Sequence, residues 1–480
     1  MMRRRRLNSA LEGFFEGVDY KDIITRYRAN VLHESVKRIL NVSVDKTFLV
    51  DTFHSFYLPV PFLKKEDEIP EPKRLLYKII NETLNSPIVH ENRKFTILNT
   101  NYGMLYTVAY IKSLVESLRK RYESTTDSKE KETLSQILDQ MSTSSLENQQ
   151  DANQKKEGTC SIEQQKGRNG SQQNQQQEEQ LEKLIEEINK DALIKAEEKV
   201  KTAMQLENMM NGGQSAGMGS SLLHDENIDN VLELAENTEI KKILELLSGL
   251  TGLGTFTKKR YTEFQRGEVH GYKIGSFDDE RIVPSELALP DDLFYAKLAE
   301  SELLLQERKI REAKGAIYVL LDKSGSMEEN EKKIWAKAVA LALYNRARKE
   351  KRDYYIRFFD GTPYQLYKVS KKSKANDVMN MLRYIASIRA SGGTNISRAI
   401  ITACEDIKDG HVKGTSEIIL ITDGEDEIDS YKIKRVLKEV NAKLFTVMIK
   451  GNNENLSRIS EEYFIAKKVD QGDLLSVIKY

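Results

Sequence analysis

The sequence predicts a mostly helical N-terminal region followed by a C-terminal doubly wound, mostly parallel α/β sheet with one antiparallel edge strand. Two observations carry this expectation. Prolines cluster at Pro59, Pro61, Pro70, Pro72 and Pro87 and again at Pro284, Pro290 and Pro363, leaving 88–283 without one. Proline costs about 3 kcal/mol inside a helix, so that gap suits long helices. From 313 onward, continuous apolar runs alternate with amphipathic ones, the pattern of parallel strands buried on both faces and the helices that cover them. The 480 residues, 39% hydrophobic and 31% charged, supply enough apolar material for real cores.

Residues 1–146 read as a helical domain. Ile23, Ile24 and Tyr27, then Val36, Ile39 and Leu40, have helical spacing. Leu105, Val108, Ile111, Leu114, Val115 and Leu118 form a longer amphipathic stripe. The cluster from Phe53 to Leu58 reads as core. Residues 147–180 are rich in glutamine and nearly devoid of apolar side chains, so we expect a disordered linker there, with polar helix in part as the alternative, since glutamine and glutamate favour helix.

Residues 181–312 read as a helical middle region and connector. A charged helix is expected from Glu178 to about Met210, on Leu181, Leu184, Ile185 and Ile188. Gly212, Gly213, Gly217 and Gly219 then interrupt it. No lysine stands in phosphate-loop position and no apolar strand precedes these glycines, which argues against a nucleotide site. Further helices are expected at about 226–248, in a short turn after Pro284, and from Leu293 to Arg311.

In 313–480, strands are expected at 316–321, 354–359, 418–421, 444–449 and 464–466. Helices are expected at 331–350, 374–388, 396–408, 430–441 and 471–479. The turn Asp360-Gly361-Thr362-Pro363 leads into 364–369, the expected antiparallel edge strand. Trp335, the only tryptophan, falls on the first of these helices and reads as packed core.

Composition excludes several function classes. Lys+Arg and Asp+Glu both number 74, which disfavours a strongly basic nucleic-acid binder. Two cysteines, Cys160 and Cys404, exclude a disulfide scaffold and a cysteine-rich metal site. Six scattered histidines form no transition-metal pair. No run approaches the ~18–20 apolar residues of a membrane span. Arg3 to Arg6 are followed by no apolar signal-peptide core, so a cytoplasmic location is expected.

Three segments of 313–480 carry chemistry together: Asp322-Lys323-Ser324-Gly325-Ser326, Ser391-Gly392-Gly393-Thr394-Asn395, and Thr422-Asp423-Gly424. In an open α/β sheet, ligands bind beyond the carboxyl ends of the strands, where Asp322 and Asp423 should stand. Ser324 and Ser326, two apart on an extended loop, can point the same way. Thr394 precedes a helix. Three hydroxyls and two carboxylates are all hard oxygen donors, a set that suits Mg²⁺, with Mn²⁺ or Ca²⁺ as substitutes. The acidic string from Glu425 to Asp429 reads as the charged first turn of the next helix. A phosphatase of the haloacid dehalogenase type needs a second aspartate where Ser324 stands. A hydrolase elbow needs glycines flanking the serine. Both are absent, so no enzyme is expected.

These segments resemble the metal-ion-dependent adhesion site of von Willebrand factor type A domains, whose pattern is Asp-x-Ser-x-Ser, then Thr, then Asp. All five positions match: Asp322, Ser324, Ser326, Thr394 and Asp423. The resemblance implies a Rossmann-like fold over 313–480, a bound divalent metal, and a vacancy on it for a partner's carboxylate. It also implies that Lys323 points away from the metal.

The order of domains, and the stretch from Arg281 to Leu289 ahead of this one, resemble the CoxE and ViaA-like proteins. That resemblance implies an adaptor acting with a MoxR-type AAA+ ATPase on a client protein, in remodelling or metal-cofactor insertion. Two alternatives stay open. One is an RNA-binding protein resembling the Ro autoantigen, disfavoured by the mixed charge and the lack of a repeat. The other is a chelatase-associated subunit, disfavoured by an amide-rich rather than acidic linker.

Overall fold

The computed structural model describes residues 12–142, 170–211, 227–248, 261–278, 280–311, 315–373, 375–410, 412, 417–424 and 426–479. The expectations for the N-terminal arginines, Cys160 and the 212–219 glycines lie outside these residues. Contacts divide the chain into two units. One joins Met1–Leu244 with Ser373–Ala386, the other joins Glu245–Lys372 with Ser387–Tyr480.

The first unit is helical. It contains α1 (Ile23–Leu40), α2 (Lys46–Tyr57), α3 (Arg74–Asn85), α4 (Pro87–Thr96), α5 (Thr100–Ser124), α6 (Ser128–Met141), α7 (Gly170–Asn211), α8 (Ile228–Glu236) and all but the last four residues of α9 (Thr238–Ser248). Its central helix is α5. Asn99 caps it by accepting the Tyr102 N–H at 3.3 Å. The stripe from Leu105 to Leu118 is buried as expected. Burying each such leucine or isoleucine contributes about 1.5–3 kcal/mol. Helix α7 packs along α5, where Tyr110 Oη donates to Asn189 Oδ1 at 2.7 Å and Tyr102 Oη donates to Glu207 Oε2 at 2.9 Å. In α2, residues Phe53 to Phe56 are buried core.

Four local expectations change. Ile23, Ile24 and Tyr27 lie on a helix, but they are exposed; α1 buries Thr25, Ala29, Leu32, Ser35 and Val36 instead. Helix α7 begins at Gly170, inside the stretch expected to be linker. Glutamine and glutamate have high helix propensity, and that preference prevails there. The expected helix at 226–248 is two helices. Asn237 ends α8, and its side chain accepts the Glu239 N–H at 2.9 Å to start α9.

The fourth change lies in the second unit. The chain from Leu293 to Arg311 is not one helix. It is α11 (Asp291–Ala299) and strand β2 (Leu303–Arg311), which pairs antiparallel with β1 (Tyr261–Gly275). Three adjacent leucines fit either period; Ser301, at φ 58°, ends the helical course before them. Leu303 and Leu305 then share one buried face with Ile282, against Phe294 and Leu298. The short α10 (Pro284–Leu287) begins at proline, as expected.

The rest of this unit is a six-stranded sheet in the order β5-β4-β3-β6-β7-β8. The strands are β3 (Ile317–Asp322), β4 (Tyr354–Phe359), β5 (Tyr367–Val369), β6 (Glu417–Thr422), β7 (Lys443–Ile449) and β8 (Glu462–Ala466). All neighbours are parallel except β5, which runs antiparallel at the edge.

Helices cover both faces. Tyr318, Leu320, Tyr355, Ile418 and Leu420 face α14 (Ile396–Lys408), α15 (Ser430–Glu439) and α16 (Glu454–Ile459). On the other face, Tyr354 Oη donates to the Ala340 carbonyl of α12 (Asn330–Lys349) at 2.8 Å. Trp335 on α12 is fully buried and donates to the Asp470 carbonyl at 3.0 Å, just before α17 (Gln471–Lys479). The segment Ala375–Ser387, α13, is helical as expected; all but its last residue belongs to the first unit. Helix α16 was not anticipated. It is short, and Asn453 caps it by accepting the Leu456 N–H at 3.1 Å.

Candidate functional site

The site lies within the second unit, at the carboxyl ends of β3 and β6. Asp322 is the last residue of β3, and Asp423 follows the last residue of β6. Because β3 is the central strand and is paired on both sides, its end is held without freedom to splay. A short 3₁₀ turn, Gly325–Glu328, then carries the chain from Ser324 into α12.

Asp322 is buried and its carboxylate is fully engaged. Its Oδ1 accepts the Ser324 N–H at 2.8 Å, and its Oδ2 accepts the Thr422 hydroxyl at 2.5 Å. Burial pushes its carboxyl above the ordinary range, the bonds from Thr422 and Ser324 hold it back, and the Asp423 charge adds to the rise. The Ser324 and Ser326 hydroxyls meet at 3.0 Å, so the two side chains do point the same way. The Ser326 hydroxyl donates to Asp423 Oδ1 at 2.7 Å. Asp322, Ser324, Ser326 and Asp423 thus form one continuous polar cluster.

Thr394 joins from the second segment. A Cβ built on Gly424 would lie 3.2 Å from Thr394 Cγ2 and 3.4 Å from its Oγ1, so the glycine after Asp423 eases the close approach of the threonine side chain. Thr394 is partly exposed and Ser326 opens to solvent, while the Asp423 side chain is buried. The mouth is therefore on the Ser326 and Thr394 side.

Several residues that position the cluster went unnoticed in the sequence. Thr422 ties the two strand ends together. Asp360, at the end of β4, anchors the Ser391–Thr394 loop. Its carbonyl accepts the Asn395 N–H at 3.0 Å, and its carboxylate accepts the Tyr364 hydroxyl at 2.6 Å and pairs with Lys323 Nζ at 3.2 Å. Lys323 therefore spends its charge on Asp360 and on the Tyr364 ring, whose centroid is 4.1 Å away. These bonds hold the Asp360 carboxyl below its ordinary range although burial opposes it. The loop closes through Ser391 N–H to Lys323 O at 2.7 Å and Gly325 N–H to Gly392 O at 3.0 Å. Gly392 has φ +91°, and a Cβ there would lie 2.9 Å from Asp360 Oδ2.

The acidic string is not the first turn of α15, which begins at Ser430 and has no acidic residue in its first turn; Asp426 and Asp429 instead cap helices. Asp426 Oδ2 accepts the Ile396 N–H at 2.8 Å, capping the helix that follows Thr394, and Asp429 caps α15 through the Lys432 N–H at 3.0 Å. The strand-end rule that located Asp322 and Asp423 also applies to Asp360, so that signal was available.

Lys332, in the first turn of α12, reaches the same cluster. Its Nζ lies 3.0 Å from Asp423 Oδ2 and 3.4 Å from the Ser326 carbonyl. Burial opposes its charge, but the Asp423 carboxylate outweighs this and raises the ammonium above its ordinary value.

Among the described residues, no group of three or more His, Cys, Asp or Glu side chains converges to hold a metal ion. The cluster here has two carboxylates and depends on hydroxyls for the rest. Its donors are hard oxygens, and it already holds one cationic group against Asp423. That chemistry fits a hard divalent cation such as Mg²⁺ and does not fit a soft metal. Among the described residues no helix is long and apolar enough to cross a membrane.

The chain is similar in sequence to known proteins. The family model for the von Willebrand factor type A domain matches residues 317–425, which include all five candidate ligands. The uncharacterized protein MJ0811 of Methanocaldococcus jannaschii is 32% identical over 306 residues, covering 61% of this chain and 68% of that protein. A second protein of that organism, the uncharacterized MJ0077, is 26% identical over 243 residues, covering 49% of this chain and 60% of that protein. Among solved structures, a von Willebrand factor type A protein from Catenulispora acidiphila shares 17% identity with a TM-score of 0.29, covering 36% of this chain and 42% of that one. The chain carries a von Willebrand factor type A domain, a fold of metal-dependent adhesion and protein interaction, and belongs to the same family as MJ0811.

Proposed function

We propose that the chain is a non-enzymatic adaptor whose von Willebrand factor type A domain holds Mg²⁺ and grips a carboxylate of another protein. The observation that carries this is the hydroxyl relay from Ser324 through Ser326 to Asp423, at 3.0 and 2.7 Å, beside the buried Asp322. Three separate chain segments converge there on hard oxygen donors and leave an open side. Asp322, Ser324, Ser326, Thr394 and Asp423 would hold the ion. A bound divalent cation supplies a Lewis-acidic point on which an aspartate or glutamate from a partner can sit.

The chain's own residues do the remainder. Thr422 and the Ser324 N–H fix the Asp322 carboxylate, so that side chain loses little freedom on binding. Asp360 and Asp426 hold the loop of Thr394 in place.

We infer further that the partner is a MoxR-type AAA+ ATPase, with the helical unit engaging either it or a client. The support is the domain order and the absence from the sequence of a Gly-x-x-x-x-Gly-Lys-[Ser/Thr] motif. ATP hydrolysis would then belong to the partner, and the site of action would be the cytoplasm.

The test is recovery of a co-expressed MoxR-type ATPase on the tagged full chain, with and without EDTA. Loss of the ATPase on chelation, and in Asp322→Ala, is the expected result. Equal recovery in all arms would remove the metal bridge. No recovery in any arm would remove the ATPase partnership.

A further inference from the structure

We propose that Lys332 is a tethered cation that sets the affinity of the site for its divalent ion and couples that ion to the partner's carboxylate. The inference rests on the metal-site reading above and adds the residue that regulates it.

The location of Lys332 is the first observation. It lies in the first turn of α12, where the helix dipole disfavours a positive charge. Its neighbour Glu331 has the sign that such a turn favours. Lys332 has also given up most of its hydration, with a side chain only 14% exposed. A lysine placed against both preferences needs a local anion, and it has one. Its ammonium lies 3.0 Å from Asp423 Oδ2, 3.4 Å from the Ser326 carbonyl and 3.5 Å from Glu329 Oε2.

The second observation is how the Asp423 carboxylate is shared. Its Oδ1 takes the Ser326 hydroxyl, and its Oδ2 takes the ammonium. One face of the carboxylate therefore belongs to the metal donors, and the other is already neutralised by a group on a short leash.

The charge count follows. Glu329 is 64% exposed, so water screens its charge; the enclosed groups, Asp322 and Asp423 with Lys332, leave a single negative charge. A divalent cation turns this into a single positive charge, and one carboxylate from outside brings it to zero. Without Lys332, the same cation would already be balanced, and the outside carboxylate would have less to gain. A positive charge a few ångströms away opposes a divalent ion strongly in a partly buried site. Lys332 therefore weakens binding of the ion alone and strengthens the dependence of the ion on a carboxylate. By linkage, the same factor makes the carboxylate depend on the ion.

The experiment is titration of the full chain with Mn²⁺, followed by isothermal calorimetry and by Mn²⁺ paramagnetic resonance, with and without acetate as the carboxylate probe. The variants are Lys332→Met, Lys332→Gln and Asp322→Ala. Lys332→Met should bind Mn²⁺ roughly tenfold or more tightly than the wild type. Acetate should tighten Mn²⁺ binding to the wild type and have a smaller effect on Lys332→Met. Lys332→Gln, neutral and polar, should behave alike and guards against misfolding of the first variant.

If the wild type binds Mn²⁺, Asp322→Ala does not, and both Lys332 variants bind as the wild type does or more weakly, the role of Lys332 is overturned while the metal site stands. If wild type and Lys332 variants all fail to bind, the metal site and the role of Lys332 fall together.

Discussion

Two buried aspartates, one in each unit, show how burial alone differs from a site. Asp51 lies on α2 in the helical unit and is completely enclosed. Its Oδ1 accepts the Phe14 N–H at 3.1 Å and the Tyr20 hydroxyl, while its Oδ2 has no hydrogen-bond partner. Asp322 is almost as deeply buried, yet both its oxygens accept hydrogen bonds. Asp51 is enclosed by protein, and the ring of its partner Tyr20 packs edge-on against His54, whose imidazole nitrogens are also unbonded. Asp322 stands at a strand end, one hydroxyl away from the exposed Ser326. The first carboxylate pins the Phe14–Tyr20 segment to a core. The second lies beneath a polar cluster that opens to solvent at Ser326. What separates them is fully satisfied bonding together with an open side, and not depth.

The contrast breaks most sharply at Asp322. Asp322→Ala should weaken Mn²⁺ binding by at least roughly 100-fold, since even the partners behind a metal ligand are typically worth 10–100-fold. Calorimetry on the folded full chain reads this directly. A variant that binds as the wild type does would make Asp322 another buried structural aspartate.

Asp51 should instead show itself in stability. Its carboxyl is pushed up to about 7, chiefly by burial, against the bonds from Tyr20 and Phe14; Lys73 lowers it and Asp45 raises it slightly. Below about pH 4, both folded and unfolded chains hold this proton. Between about 4 and 7 only the folded chain holds it, so stability falls as pH rises. Above about 7 the loss is complete and constant, on the order of 4 kcal/mol for this group. His54, driven down to about 4 by burial and by Arg28, stays neutral over most of that window. Thermal unfolding followed by far-ultraviolet circular dichroism should therefore lose less stability between pH 5 and 7 in Asp51→Asn than in the wild type. Parallel pH profiles would show that Asp51 is ionised in the fold.

A smaller effect is expected where the site is positioned rather than built. Gly392→Ala places a Cβ against Asp360 in a left-handed conformation. It should cost about 1–2 kcal/mol and weaken Mn²⁺ binding through the displaced Thr394 loop. Urea unfolding and Mn²⁺ titration on the same sample read both. The smallest effect is expected at Ile23, whose side chain is 83% exposed. Ile23→Ser should change stability by less than about 0.5 kcal/mol in the same urea assay. A larger loss would mean that this face of α1 is covered in solution.

Much of the architecture was legible in the chain. The runs around Ile317 to Asp322 and Glu417 to Thr422 could only be buried strands, because both faces of each are apolar. The spacing of Leu105 to Leu118 could only be a helix. Where the pattern was ambiguous, the reading went astray. Leu303, Leu304 and Leu305 suit a helix and a strand equally, and the pairing with β1 decides between them. The exposed Ile23 and the buried Ser35 on α1 reverse what hydrophobicity alone suggests, since the face a helix buries depends on its neighbours.

The candidate ligands divide in the same way. Residue type and position marked the five as candidates: Asp322 and Asp423 by their strand ends, Ser324 and Ser326 by the loop after one of them, and Thr394 by its place before a helix. Their supports could not be found so. Thr422, Asp360 and Asp426 act across gaps of 100, 35 and 30 residues, on Asp322, Asn395 and Ile396 respectively. Lys332 reaches Asp423 across 91 residues. Local chemistry is written in neighbouring residues, because propensity, period and donor type are properties of short segments. Which distant group neutralises a carboxylate, and which loop is clamped beside it, depends on where the sheet order brings strand ends together.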